Sequence, residues 1–367
     1  MLFSSVVNSL IIALCASNQV NASPVAHLHH MHKRDVVHVT ETVVVTVGGD
    51  NTSLAQAPAA TQATLDTQTE GTQTAYAYTV TSATDASTTA EATTAAAAAA
   101  ATTSAAAAAT EDVTSSAGTK GITYSPYNSD GTCKNLEQVK EDFAKISDYG
   151  LIRLYGVDCN QVENVMQAKG SNQKLFLGIF FMDQISQGIE QLSNAVKTYG
   201  SWDDVYTVSI GNELVNSGEA SVEQIASYVS TGKSLLSSNG YSGPVVSVDT
   251  HVAILNNPAL CEYSDYIAFN AHAYWDGTIV GSDAGPWLLL QMQRVANACN
   301  KHVMCVESGW PHAGDANGVA VASKSEQSNA INSISSTCGD DTIAFTAFDD
   351  MWKNPGSKNV EQFWGLF

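Results

Sequence analysis

Two short stretches carry the residues best suited to chemistry. VSIGNELVNSG, Val208 to Gly218, runs an apolar segment into Gly211 and then sets Asn212 beside Glu213. VMCVESGWP, Val303 to Pro311, ends a second apolar run on Glu307. A carboxylate at the end of a buried strand is costly unless it is paired or put to use. Two carboxylates converging on one groove about 5–5.5 Å apart can flank a glycosidic bond as a retaining pair. One donates a proton to the leaving oxygen while the other attacks the anomeric carbon. Either Glu taken singly reads as an ordinary surface residue; their repetition at two strand ends favours catalysis.

The elements that must position them begin at Gly121. Eight β-branched or aromatic runs follow: GITYSPY, LIRLYGV, KLFLGIFF, VYTVSIGNE, PVVSVDT, YIAFNAHAYW, HVMCVESGWP and AFTAFDDMWK. Segments with helical spacing lie between them, such as LEQVKEDFAKISDY and VEQIASYVSTGKSLLSS. The second places Val222, Ile225, Tyr228, Val229, Leu235 and Leu236 near one stripe. Strands alternating with helices imply an α/β fold with a parallel sheet, and this number of repeats fits a (β/α)8 TIM barrel. An open doubly wound sheet is disfavoured, because no Gly-rich phosphate loop follows the first strand. In a barrel the fourth and seventh strands face each other across the mouth, which brings Glu213 and Glu307 together. Most βα connections look short, and only those after strands six and seven exceed about ten residues. Such a rim leaves the groove open at both ends, which suits attack within a long polymer.

Supporting residues follow from strand parity. In LIRLYGV, Arg153 and Tyr155 alternate with Ile152 and Leu154, so one pair points inward. An inward Arg153 can hold Glu307 ionised; the alternative is a purely structural ion pair. Asn270, His272 and Tyr274 share a face of FNAHAYW and are placed to position the nucleophile, with a satisfied core histidine as the competing account of His272. Trp275, Trp310 and Trp352 fall at or just past strand ends, where aromatic faces either stack on sugar rings or pack. Tyr124 and Tyr127 are weaker candidates, and Asp249 and Asp350 are further possible sugar contacts. No Cys or second His sits at ligand spacing beside His272, so neither a catalytic metal nor a cofactor is expected. Of the Cys residues, Cys299 and Cys338 close successive helices and form the preferred bridge, with Cys133–Cys159 next. Cys305 shares the parity of Glu307 and is expected inside the barrel, as a free buried thiol or with a partner the sequence does not name.

The sequence before the barrel has a different texture. Residues 1–22 hold an apolar run closed by small residues, as in a secretory signal peptide. HLHHMHKR, His27 to Arg34, ends a segment 23–34 on a Lys-Arg pair. Residues 35–119 turn to Ala, Thr, Ser and Gln, too poor in large apolar side chains to offset ordering entropy, and read as a disordered stalk. Asn51-Thr52-Ser53 is a glycosylation sequon there, and the alternating Asp35–Val47 segment has no assignable partner. The formal net charge of −20 excludes nucleic acid and anionic membrane as natural partners and leaves a neutral polymer unaffected. The closing FWGLF lacks the hydrophobic tail of a lipid-anchor signal, so no membrane anchor is expected.

Residues 120–367 resemble glycoside hydrolase family 17, the β-1,3-glucanases, and within it the fungal branch of soluble cell wall proteins and surface mannoproteins. The resemblance rests on GITYSPY, IRLYGVDC, SWDDVYTVSIGNELVN, SVDT, NAHAYWDG, ESGWP, NGVAVASKS and EQFWGLF. It implies that Glu213 is the general acid/base, that Glu307 is the nucleophile, and that Asn212 hydrogen-bonds the sugar 2-hydroxyl. Many members of the family carry Glu where Asp350 stands, which leaves a shared role for that position open. The Lys-Arg pair and the hydroxyl-rich tract resemble the same branch, implying cleavage after Arg34 and an O-glycosylated stalk. The implied protein is a secreted, monomeric, cofactor-free wall enzyme acting on β-1,3-glucan, by endo-hydrolysis and by glucanosyl transfer. Two alternatives stay open: a largely non-catalytic glucan-binding or adhesive mannoprotein, and the same chemistry on another β-glucan.

Overall fold

The structure is a computed structural model and describes Val113 and residues 115–367. The expected leader, the 23–34 segment and the stalk with its Asn51 sequon and Asp35–Val47 run lie outside the described residues.

Eight parallel strands close a barrel in chain order. They are β1 (Gly121–Thr123), β2 (Leu151–Arg153), β3 (Lys174–Ile179), β4 (Val205–Asn212), β5 (Val245–Thr250), β6 (Ile267–Asn270), β7 (Val303–Ser308) and β8 (Thr342–Ala344). Among the described residues the helices are α1 (Leu136–Lys145), α2 (Gln161–Ala168), α3 (Ile185–Tyr199), α4 (Val222–Ser238), α5 (His251–Asn256), α6 (Ala284–Cys299) and α7 (Lys324–Cys338). The (β/α)8 expectation therefore holds, with two differences at the rim. The run expected as the eighth strand, AFTAFDDMWK, contributes only Ala344 to β8, and the chain then continues to Phe367 without a helix. The connection from β1 to α1, residues 124–135, is as long as those expected after strands six and seven.

Helix α4 shows why these segments fold where they do. Ser221 caps it by accepting from the Gln224 amide, while the Gln224 side chain accepts from Ser221 in return, so two end donors are satisfied together. Ile225, Val229 and Leu236 turn inward and are buried, whereas Val222, Tyr228 and Leu235 lie at the edge of the stripe and stay partly covered. Gly232 faces Ile210 so closely that a Cβ would sit 2.7 Å from its Cδ1, and only glycine lets the helix seat on β4.

Strand parity divides the barrel into two apolar layers. Leu151, Phe176, Tyr206, Val246, Tyr266 and Met304 fill the floor of the barrel. Their neighbours Ile152, Leu177, Val205 and Ile267 face the helices. Two irregularities break this alternation at functionally important points. On β4, Ser209 to Asn212 spans three steps where β5 advances two, from Val246 to Val248. On β7, Cys305 to Glu307 spans two steps where β6 advances one, from Phe269 to Asn270. A bulge of this kind re-aims the residues after it. It also corrects the expectation for Cys305. That thiol is buried in the outer layer against the helices, because the bulge separates its parity from that of Glu307.

The disulfides divide likewise. Cys133–Cys159 joins the first two strand-end loops as expected, with Cα atoms 5.2 Å apart. The expected Cys299–Cys338 bridge is not formed. Cys299, at the end of α6, instead meets Cys261 in the turn before β6, Cα to Cα 5.3 Å, and Cys338 is a thiol. Contact between that turn and the end of α6 decides the pairing, and helix order alone does not reveal it.

Candidate active site

Above its apolar floor, the barrel interior becomes polar at the C-terminal ends of the strands. Arg153 closes β2 and is 1 % exposed. Its Nη1 donates to Glu307 Oε1 at 2.9 Å, to the Val306 carbonyl at 2.8 Å and to Asn270 Oδ1 at 3.1 Å. Its Nη2 donates to Asn212 Oδ1 at 2.8 Å. The guanidinium carbon also lies 4.6 Å from the Tyr155 ring centroid and 5.3 Å from that of Phe176, so the charge rests against aromatic faces rather than water.

Glu307, buried at the end of β7, is the first of the two carboxylates. His272 Nε2 stands 3.5 Å from its second oxygen. Burial alone would push the Glu307 carboxyl up, but the Arg153 charge, with His272 and Tyr155 assisting, pulls it down to about 2. The Tyr155 hydroxyl is buried beside this carboxylate without a partner of normal hydrogen-bond geometry. Burial, reinforced by the Glu307 charge, holds that phenol well above its usual range.

Glu213 is the second. It follows β4 with a φ of 55°, in the left-handed region that few side chains adopt, directly after Gly211 at φ 80° and Asn212. Its amide donates to Val248 O at 2.9 Å, which ties the unusual backbone to β5. Asn270 Nδ2 donates to Glu213 Oε1 at 2.9 Å and to Asn212 Oδ1 at 3.2 Å. Asn270 thus bridges the two carboxylates: its amide nitrogen reaches Glu213 and its oxygen receives the guanidinium that holds Glu307. The two glutamates, distant along the chain, sit on one network of hydrogen bonds.

The structure therefore brings together Glu213, Glu307, Asn212, Arg153, Tyr155, Asn270 and His272. Two expected members lie elsewhere. Tyr274 falls in a 3₁₀ turn, Ala273–Asp276, which ends the two-residue alternation. Its ring is buried against Trp275, Trp310 and Trp364, and its hydroxyl donates to the Asp315 carbonyl in the loop after β7. Trp310 is 0 % exposed, and its Nε1 donates to Val321 O at 2.8 Å, so its faces are covered by protein. Both are supports of the wall. Trp275 and Trp352 keep partly exposed rings at the mouth. Tyr124 is buried and donates to Asp142, whereas Tyr127 lies 4.6 Å from the Trp352 ring.

Two residues here had no role in the sequence argument. Lys353 Nζ pairs with buried Asp350 at 2.7 Å and lies over the Phe345 and Trp352 rings. Burial opposes its charge, yet Asp350 keeps the ammonium above its ordinary value. Trp364, from the closing EQFWGLF, packs its ring 4.9 Å from His272 and fixes that imidazole from behind. Lys353 could have been found three residues beyond Asp350; Trp364 carried no local signal, because its contact depends on the chain returning to the mouth. Asp249, at the end of β5, contacts backbone and not the open groove: it accepts from the amides of Val215 at 2.9 Å, Asn216 at 3.2 Å and Thr250 at 2.8 Å. Among the described residues no group of three or more His, Cys, Asp or Glu is arranged to hold a metal, and none is long and apolar enough as a helix to cross a membrane.

The family model for the BtgE/BtgC glycoside hydrolase domain matches residues 121–365. The "Probable family 17 glucosidase SCW4" of Saccharomyces cerevisiae is 56% identical over 248 residues, 67% of this chain and 64% of its own length. The "Cell surface mannoprotein MP65" of Candida albicans is 56% identical over 249 residues, covering 67% of this chain and 66% of that protein. The chain thus spans just under two thirds of these relatives. The crystal structure of a glycoside hydrolase family 17 β-1,3-glucanosyltransferase from Rhizomucor miehei superposes with a TM-score of 0.59 at 23% identity, over 68% of this chain and 93% of that one, a likeness of fold. Barrel, paired strand-end glutamates and sequence agree: this chain belongs to the BtgE/BtgC glycoside hydrolases of family 17.

Proposed function

We propose that this protein is a retaining β-1,3-glucan endo-glucosidase of the fungal cell wall that also transfers glucanosyl chains. The observation that carries the reading is the unequal setting of two glutamates on one hydrogen-bond network. Glu307 is held as a carboxylate by Arg153, which suits a nucleophile poised at the anomeric carbon. Glu213 meets side-chain amides at a partly open site, which suits a group that gives up a proton and takes one back. In the first step Glu307 attacks C1 while Glu213 protonates the departing oxygen, forming a glycosyl ester on Glu307. In the second, Glu213 removes a proton from the incoming hydroxyl, which displaces Glu307 and restores both groups. Water as acceptor gives hydrolysis; a sugar hydroxyl gives transfer. In this reading Asn212, whose Oδ1 accepts from Arg153 and Asn270, hydrogen-bonds the sugar 2-hydroxyl through its amide group.

Linkage and location rest on the relatives. The Rhizomucor neighbour is described as a β-1,3-glucanosyltransferase, and the Candida relative as a cell surface mannoprotein. In this reading residues 1–22 direct secretion, cleavage after Arg34 removes 23–34, and 35–119 form an O-glycosylated stalk before the catalytic domain 120–367. The enzyme acts as a monomer without cofactor. Incubation with a defined laminari-oligosaccharide at high concentration is expected to yield products both shorter and longer than the substrate. Shorter products alone would remove the transferase part, and equal or greater release from lichenan, pustulan or mannan than from laminarin would move the linkage.

A further inference from the structure

The turn that carries Glu213 is held from below by one buried carboxylate. Asp249 is 4 % exposed. Its Oδ2 accepts from the amide of Val215, and its Oδ1 from the amides of Asn216 and Thr250. Val215 and Asn216 are the second and third residues after Glu213, whose own carbonyl accepts from the Ser217 amide at 2.9 Å to close the turn. Asn216 then extends the connection to the side chain: Thr250 Oγ1 donates to its Oδ1 at 3.1 Å, and its Nδ2 reaches Glu213 Oε2 at 3.5 Å. The left-handed backbone at Glu213 is unfavourable for a residue with a Cβ and persists only where surrounding contacts impose it. Three backbone donors converge on this one carboxyl group.

We propose that Asp249, with Thr250 and Asn216, is the positioning residue for Glu213, setting both the turn and the direction in which its carboxylate presents a proton. The proposal rests on Glu213 acting as the acid/base, as set out above. It differs from a general structural role because the bonds of Asp249 run to the Glu213 turn and to its own helix start, with none to Glu307. Displacing Glu213 therefore harms proton delivery while leaving the nucleophile intact. The Asp249→Asn variant tests this sharply. An amide keeps only one acceptor oxygen, so at least one of the three backbone donors now faces an NH2 group whichever way the side chain turns.

The experiment compares kcat/KM on laminarihexaose, whose leaving group needs a proton, with that on 2,4-dinitrophenyl β-laminaribioside, whose leaving group does not. Glu213→Gln is read first as the control. It is expected to lose far more on the hexaose than on the dinitrophenyl substrate, and to be accelerated by azide, which resolves the glycosyl ester without a general base. If this control loses both substrates equally, the catalytic reading fails and this inference falls with it. Asp249→Asn is expected to lose about 10-fold or more on the hexaose and no more than about 2-fold on the dinitrophenyl substrate, with azide rescue as in the control. With the control behaving, equal losses on both substrates, or none, overturn the role of Asp249. If Asp249→Asn does not fold, the exposed Asn216→Ala carries the test: about 3-fold with the same asymmetry supports the proposal, and a symmetric or absent effect overturns it.

Discussion

The ends of β4 and β7 offer the same residue type in opposite settings. At the end of β7, Glu307 is buried, paired with Arg153 and flanked by His272, and its carboxyl is pulled down to about 2. At the end of β4, Glu213 sits on a left-handed backbone in a turn that is partly open, and the amides of Asn270 and Asn216 reach its carboxylate. Charge pairing with Arg153 holds Glu307 ionised, and amide donors from Asn270 and Asn216 orient Glu213. The proposed mechanism gives these two chemically identical groups different work. Each strand also carries a bulge near its glutamate, so the divergence begins in the backbone.

Replacement of each glutamate is the largest test of this contrast. Glu307→Gln is expected to lower kcat about 10⁴-fold or more, without azide rescue, because the covalent intermediate no longer forms. Glu213→Gln is expected to cost about 10²–10⁴-fold, with rescue. Matching profiles for the two variants would collapse the distinction. Next comes Arg153→Met, which leaves Glu307 buried and uncompensated. Destabilisation of about 3–5 kcal/mol is expected by denaturant melts, and in any folded fraction the acid limb of kcat/KM should move to higher pH.

The pH dependence of stability sharpens the same comparison. Burial, with the Glu213 charge adding, raises Asp249 from 3.8 to about 6, against its backbone donors. The folded chain thus holds that proton more tightly than the unfolded one, a contribution complete below about pH 4 and lost as pH climbs through 6. Glu307, at about 2 against an ordinary 4.5, works in the opposite sense. Its contribution is complete above about pH 4.5 and is lost as pH falls toward 2. Melting temperature should therefore be highest near about pH 4.5, and Asp249→Asn should flatten only the fall on the alkaline side. An unchanged fall in that variant would assign it to other groups. The smallest expected effects separate mouth from wall. Trp352→Ala should raise KM for laminari-oligosaccharides about 10-fold with little change in melting temperature, and Trp310→Phe should lower melting temperature with KM nearly unchanged.

Much of this was legible before any coordinates. The eight apolar runs placed the strands, because a buried parallel strand needs a continuous apolar segment whatever surrounds it. Parity set Arg153 and Tyr155 on one face and Ile152 and Leu154 on the other, and β2 has no bulge between Leu151 and Arg153 to disturb the count. Parity failed where the backbone departs from regular pairing. Cys305 was misplaced by the bulge on β7, and Tyr274 by the 3₁₀ turn after β6. The exchange of Cys338 for Cys261 as the partner of Cys299 has the same origin, since loop contacts set it and helix order does not.

By itself, the sequence determined the barrel, its strand order and the two glutamates at opposing strand ends, because hydrophobic periodicity and residue type are local properties of the chain. Tertiary structure alone decided that Arg153 would hold Glu307 charged, that Asn270 would join the two glutamates, and that Asp249 would grip the Glu213 turn. Those outcomes depend on hydrogen bonds between strands far apart along the chain, and their lengths and directions exist only once the barrel has closed.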